Sequence, residues 1–190
     1  MKTVTSDTKR RILEAAARVA TAKGVQALKL ESVAIEAGIS KGGLFYHYKT
    51  KEELLIAMVQ AFVDVTENRI ATIMADDLEV GAWVRGFLDA CQIEEDPEVG
   101  SFSRLSVAIM AAAASDKALL KPLNDRQTHW RSALNDSGID PAVAQIIRLA
   151  ADGLWINDIL DVPTLNEDER KAVYAELVRM SYGNQNRGER

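Results

Sequence analysis

At 190 residues the chain has room for one compact unit, or for a small head on a larger body. Its 47% apolar and 27% charged residues are those of an ordinary globular protein, and with no run near ~18 consecutive apolar residues neither disorder nor a membrane span is expected. The net charge of −5 conceals a basic head (residues 1–52, ten Lys/Arg against five Asp/Glu) and an acidic body (residues 53–190, thirteen against twenty-three), a pattern suited to localised attraction to a polyanion.

In chain order, 8–23 places Ile12, Leu13, Ala16, Val19 and Ala20 at helical spacing, with Lys9, Arg10 and Arg11 ahead of the stripe and Gly24 as a left-handed stop. Residues 30–37 repeat the pattern with Leu30, Val33, Ala34 and Ala37, and Gly38 ends it. Ser40 then caps a very short helix, 40–46, which carries Lys41, Tyr46 and His47. Three helices in about forty residues, the last two joined by a tight Gly-containing turn, follow the helix-turn-helix plan. Thr50 opens a long helix to about Met74, and Glu53 three residues on predicts a capping box. The dense run 38–54, rich in lysine, hydroxyl and aromatic groups, leaves little room for a core and suits a phosphate backbone as partner.

Further helices are expected over 83–93, 103–114 and 117–135, the last with an irregularity at Pro122, where proline removes an amide donor. Asp140 and Pro141 open another, with Val143, Ile146, Ile147, Ala150, Leu154, Trp155 and Ile159 as its stripe. Asn166–Glu169 start a final helix bearing Val173, Leu177 and Met180, and 183–190 reads as a frayed tail. Four prolines and no Val/Ile/Thr-rich alternation argue against a sheet, so the predicted fold is all-α. The polar N-terminus lacks an apolar signal region, and the single Cys91 excludes an intramolecular disulfide, which together fit a reducing cytoplasm.

The run Ile12-Leu-Glu-Ala-Ala16, Gly24, Val33-Ala34-x-x-Ala37-Gly38-Ile39-Ser40-Lys41-Gly42-x-Leu44-Phe45-Tyr46-His47-Tyr48 and Lys51-Glu52-x-Leu54 resembles the DNA-binding domain of the TetR family of bacterial transcriptional regulators. The segment Leu149–Trp155 looks like the penultimate helix of one group of that family's ligand domains. The resemblance implies a DNA-binding head over 1–52 and a helical effector-binding and dimerisation body over 53–190. It implies a homodimeric repressor that places its 40–46 helices in successive major grooves and leaves operator DNA when a small molecule binds the body.

Matching positions make Lys41, Tyr46, His47 and Lys51 DNA contacts, together with Lys29, Ser40, Gly42, Gly43 and Phe45. Three positions depart from the family pattern: Lys29 stands for a capping threonine, Gly43 for a threonine and Phe45 for a tyrosine. Met58, Phe62, Trp83, Phe87, Cys91, Phe102, Met110 and Trp130 are the candidate effector wall, suited to an apolar or aromatic compound with one or two polar handles, Asp152 and Asn157 among them. Ile147, Leu154, Val173 and Leu177 are assigned to the dimer interface, and Trp155 to that interface or to the core. Only His47 and His129 are present, no nucleophile, metal-ligand or phosphate-loop motif occurs, and neither an enzyme, a metal nor a cofactor is expected. A DNA binder without a small effector, an activator and a helical ligand-binding enzyme are the alternatives. Effector, operator and regulated genes are not encoded in any readable way.

Overall fold

The computed structural model describes residues 2–92, 105–106, 108–114, 116–162 and 164–183, with side chains from Asp7 onward. Every regular element among them is helical, as the periodicity predicts: α1 (Lys2–Lys23), α2 (Leu30–Glu36), α3 (Lys41–His47), α4 (Lys51–Asp76), α5 (Ala82–Ala90), α6 (Lys121–Asn135), α7 (Pro141–Leu160) and α8 (Glu167–Ser181). Residues 108–113 are also helical. Single 3₁₀ turns, Val25–Ala27 and Lys117–Leu120, precede α2 and α6. The predicted loop 94–100 and most of the predicted tail lie outside the described residues.

Local chemistry explains most of the helix starts. The Asp140 carboxylate accepts from the amides of Ala142 (2.8 Å) and Val143 (3.2 Å), with Pro141 at the first helical position. Asn166 and Glu169 close a full capping box at the start of α8. The irregularity expected at Pro122 is a change from the 3₁₀ turn Lys117–Leu120 to α6, of which Pro122 is the second residue, where an amide donor has no intrahelical acceptor to lose. One expectation is corrected. At α4 only half of the capping box forms. Thr50 Oγ1 accepts from the Glu53 amide at 3.1 Å, but the Glu53 carboxylate reaches back to the Lys49 amide at 2.7 Å rather than to that of Thr50.

The chain divides into two compact units, residues 1–63 with 94–125, and residues 64–93 with 126–190. In the first, Ile12, Ala16, Val33, Leu44, Leu54 and Met58 share one core with Leu105, Ile109, Ala113 and Leu119. Leu105, Ile109, Ala113 and Leu119, expected in the body, therefore pack in the same unit as the first three helices.

In the second unit α5 packs on α7 and α8, and α7 on α8. Arg85 is its polar hub, buried with only 7% of its surface exposed. The guanidinium donates to both carboxylate oxygens of Asp77 (2.5 and 2.8 Å), and to the carbonyls of Val80 (2.9 Å) and Ser181 (3.2 Å). The Tyr182 ring lies 4.0 Å from it. Hydrogen bonding from Arg85 holds the Asp77 carboxyl below the usual carboxylate range. A buried cation is stable only with such full pairing, so this set fastens the C-terminal end of α8 to the start of α5.

Candidate nucleic-acid interface

α3 has seven residues, too few to be a stable helix alone, so packing must hold it. Leu44 provides the anchor with no exposed surface, and Tyr48 is buried beside it, where desolvation pushes its hydroxyl pKa up. Arg11 of α1 donates to the Ala37 carbonyl at 2.8 Å and so ties α1 to the turn between α2 and α3. That role was not predicted, because it depends on a contact 26 residues away.

The outer side of α3 faces solvent. Tyr46 is 82% exposed, and the His47 ring meets it edge-on with centroids 5.2 Å apart. Lys41 Nζ lies 2.8 Å from a Glu31 carboxylate oxygen and 5.5 Å from the Phe45 ring centroid. Phe45 is half-buried against the head core, so its main contact is apolar. Lys51 Nζ donates to the Gln26 carbonyl at 3.0 Å, which links the start of α4 to the 3₁₀ turn before α2. Lys29 occupies the N-cap of α2, is exposed, and makes no side-chain cap, as expected where the threonine is missing.

Ser40 Oγ accepts from the Gly43 amide at 3.0 Å. A Cβ on Gly43 would lie 3.2 Å from that same oxygen, so the glycine leaves the cap undisturbed, whereas Gly42 faces open space. All nine predicted DNA-contact residues thus belong to one unit, with Lys29, Ser40, Lys41, Gly42 and Tyr46 exposed and the other four partly so. Glu31, which joins them through Lys41, was missed because its partner is across the turn.

The candidate effector residues separate. Met58, Phe62 and Met110 belong to the first unit, and Met58 sits inside its core with 1% exposure. Trp83, Phe87, Cys91 and Trp130 belong to the second, and Phe102 lies outside the described residues. Trp83 stacks on Phe87 at 5.6 Å, and Phe87 meets Trp130 edge-on at 5.8 Å. The Arg148 guanidinium carbon lies 5.6 Å from each of the Phe87 and Trp130 ring centroids. Cys91 lines a cavity of about 10 Å³ with Leu88, Gln92, Leu154 and Tyr174, room for about one water. Burial pushes its thiol pKa up, leaving little reactive thiolate. Burial also pushes the Asp152 carboxyl up, with Arg148 at 3.7 Å opposing the shift; Asn157 is half-buried.

Glu67 accepts from Trp130 Nε1 at 2.9 Å and is held at both oxygens by Arg126. Burial disfavours its charged form, but the hydrogen bonds from Arg126 and Trp130 together outweigh that and keep its pKa below the ordinary 4.5. A depressed carboxylate pKa contributes stability above its unfolded value, and the contribution fades as pH falls through the folded one. Thermal melts should therefore show that Glu67→Gln is less stable than wild type at pH 7, and that the difference shrinks below about pH 4.5. A gap unchanged from pH 7 to pH 3 would refute this.

Burial divides the residues assigned to the dimer interface. Ile147, Trp155 and Leu177 are 0%, 8% and 5% exposed within the protomer, so they belong to its interior, while Leu154 and Val173 are half-buried. The free apolar groups of α7 are instead Ile146, Leu149, Ile156 and Leu160, one helical stripe turned away from the core. The sequence stripe merged the two faces. Among the described residues, no three His, Cys, Asp or Glu are grouped to hold a metal ion, and no helix is long and apolar enough to cross a membrane.

Residues 12–58 match the family model of bacterial regulatory proteins of the tetR family, and residues 81–182 match that of the tetracyclin repressor-like C-terminal domain. The HTH-type transcriptional regulator LmrA of Bacillus subtilis is 27% identical over 135 residues, 68% of this chain and 70% of that protein. The uncharacterised HTH-type transcriptional regulator YerO of the same organism is 32% identical over 71 residues, 37% of this chain but only 25% of that longer protein. A solved TetR-family regulator from Rhodococcus sp. shares the fold with a TM-score of 0.74 at 22% identity, covering 94% of this chain and 100% of its own.

Proposed function

The chain belongs to the TetR family of bacterial transcriptional regulators, and we propose that within it the protein is a ligand-responsive repressor. It binds operator DNA as a homodimer through the head, taken as 1–52, and leaves it when a small apolar or aromatic molecule occupies the body, 53–190. The observation that carries this reading is the outer side of α3. An 82% exposed Tyr46 beside His47, with Lys41 and Lys51 at either end, is a poor core and a good set of phosphate donors. Lys29, Ser40, Gly42, Gly43 and Phe45 complete the proposed contact face.

Release needs only that the ligand favour the conformer that binds DNA poorly, and a coupling of roughly 1–3 kcal/mol changes operator affinity about 5–150-fold. α4, a single helix of 26 residues in which the division between the units falls, is the element through which we infer the signal passes. The exposed stripe Ile146, Leu149, Ile156 and Leu160 supports pairing with a second copy, since a row of large apolar groups is rarely left in water. The aromatic group Trp83, Phe87 and Trp130 is the favoured effector wall.

The head is tested with Tyr46→Ala/Lys51→Ala. The double variant should bind every duplex more weakly, with a salt slope shallower by about 1 for the lost lysine. Unchanged affinity at low salt would refute the head assignment. A thermal-shift panel of aromatic and acyl compounds tests gating, because a site filled at about 100 times its dissociation constant adds about 2.7 kcal/mol. A panel with no stabilising compound would favour an ungated DNA binder.

A further inference from the structure

Glu31 stands out among the acids of the head. It sits in the first turn of α2, two positions after Lys29, and its Oε1 lies 2.8 Å from Lys41 Nζ. Lys41 is flanked on another side by the Phe45 ring at 5.5 Å. Glu36, the other acid of α2, pairs instead with Arg18 of α1, at 2.7 Å. Thus α2 places one carboxylate against the cation at the start of the recognition helix. The hydrogen bond from Lys41, a backbone hydrogen bond and then the Lys41 charge hold the Glu31 carboxyl below the usual carboxylate range, with Lys29 adding the smallest share.

A negative charge there has a consequence for DNA binding. Phosphates attract every lysine alike, and that attraction carries no sequence information. A carboxylate that occupies Lys41 must be displaced before the lysine can act on DNA. The penalty is the same on every duplex, so it lowers affinity for all of them and leaves the difference between two sequences unchanged.

Resting on the DNA-binding reading above, we propose that Glu31 is an affinity-limiting residue of the head: by occupying Lys41 in the free protein it lowers affinity for DNA of every sequence. The pair is exposed, at 64% for the Lys41 side chain and 53% for that of Glu31, so the effect is modest. Exposed pairs of this kind are worth about a two- to five-fold change in a binding constant.

The test compares the full chain with Glu31→Gln, Lys41→Gln and the double variant, on a random-sequence duplex across a salt series by fluorescence anisotropy. Glu31→Gln should bind about two- to five-fold tighter, with a salt slope steeper by about 0.9, the contribution of one further lysine on phosphate. In the Lys41→Gln background the same change should give no gain in slope. Equal or weaker binding by Glu31→Gln overturns the proposal, and weaker binding would mean that Glu31 itself contacts a base, as a carboxylate does with the cytosine amino group. A gain that persists without Lys41 also overturns it, since simple charge repulsion would then account for it. If the wild-type chain binds no duplex at any salt, the DNA-binding reading falls, and this proposal with it. If it binds and Glu31→Gln matches it, only the proposal falls.

Discussion

Gly81→Ala is expected to remove at least ~3 kcal/mol from the stability of the unit built on α5, α7 and α8. Gly81 has φ +83°, in the left-handed region that costs an L-residue about 1–2 kcal/mol. A Cβ there would also stand 1.8 Å from the Ser181 carbonyl oxygen, 3.0 Å from its carbon and 3.1 Å from Arg85 Nη1. The first two atoms are backbone and cannot rotate aside. Moving them would disturb the Arg85–Ser181 hydrogen bond, and moving Gly81 would strain its own amide bond to the Ser137 carbonyl at 2.9 Å. Gly24→Ala is the natural comparator, with φ +80° and no atom within 4 Å of the added carbon. Its ψ of 149° differs from the 4° of Gly81, so it measures the cost of a positive φ without a clash. At about 2–4 °C per kcal/mol for a chain of this size, thermal melts should fall by about 6–12 °C or more for Gly81→Ala and by about 2–8 °C for Gly24→Ala. Equal losses would show that the end of α8 yields easily and that Arg85 does not fix it.

Leu44→Ala is expected to lower stability by about 2–5 kcal/mol and to abolish duplex binding even where the rest of the chain stays folded. Leu44 has no exposed surface, and α3 offers only seven residues to hold it in place. Ser40 caps the helix at one end, but a cap contributes about 1 kcal/mol and cannot substitute for a lost core anchor. Tyr46, His47 and Lys41 reach DNA only if this short helix keeps its pose, so a packing defect on the inner side becomes a binding defect on the outer side. Leu44→Met, close in volume, should lose less than about 1.5 kcal/mol and retain binding. Denaturant melts paired with duplex titrations distinguish these outcomes. Wild-type binding by Leu44→Ala would mean that Phe45 and Tyr48 hold α3 without it.

The number and type of helices, most of their starts and the α2–turn–α3 arrangement were legible in the sequence. These depend on chemistry within a few residues: apolar groups at helical spacing, a hydroxyl or carboxylate at a cap, a glycine at a stop. Ser40 and Asp140 cap their helices as the sequence predicts, and Asn166 caps the helix expected to start at 166–169. Even the Thr50 signal was half right, and its Glu53 erred by a single amide.

Tertiary structure alone decided which face of each helix is inner and which pairs meet. The stripe on α7 reads as one band because Ile146 and Ile147 are neighbours in sequence, yet a rotation of about 100° per residue sends them to opposite fates. One is 54% exposed and the other fully buried. The same reason placed Leu105, Ile109, Ala113 and Leu119 in the core of the first unit, gave Lys41 a carboxylate partner on α2, and joined Arg85 to a carbonyl 96 residues away. Periodicity records that a face is apolar. Only packing against a particular neighbour determines what covers it, and contacts that close long loops leave no mark within a short sequence window.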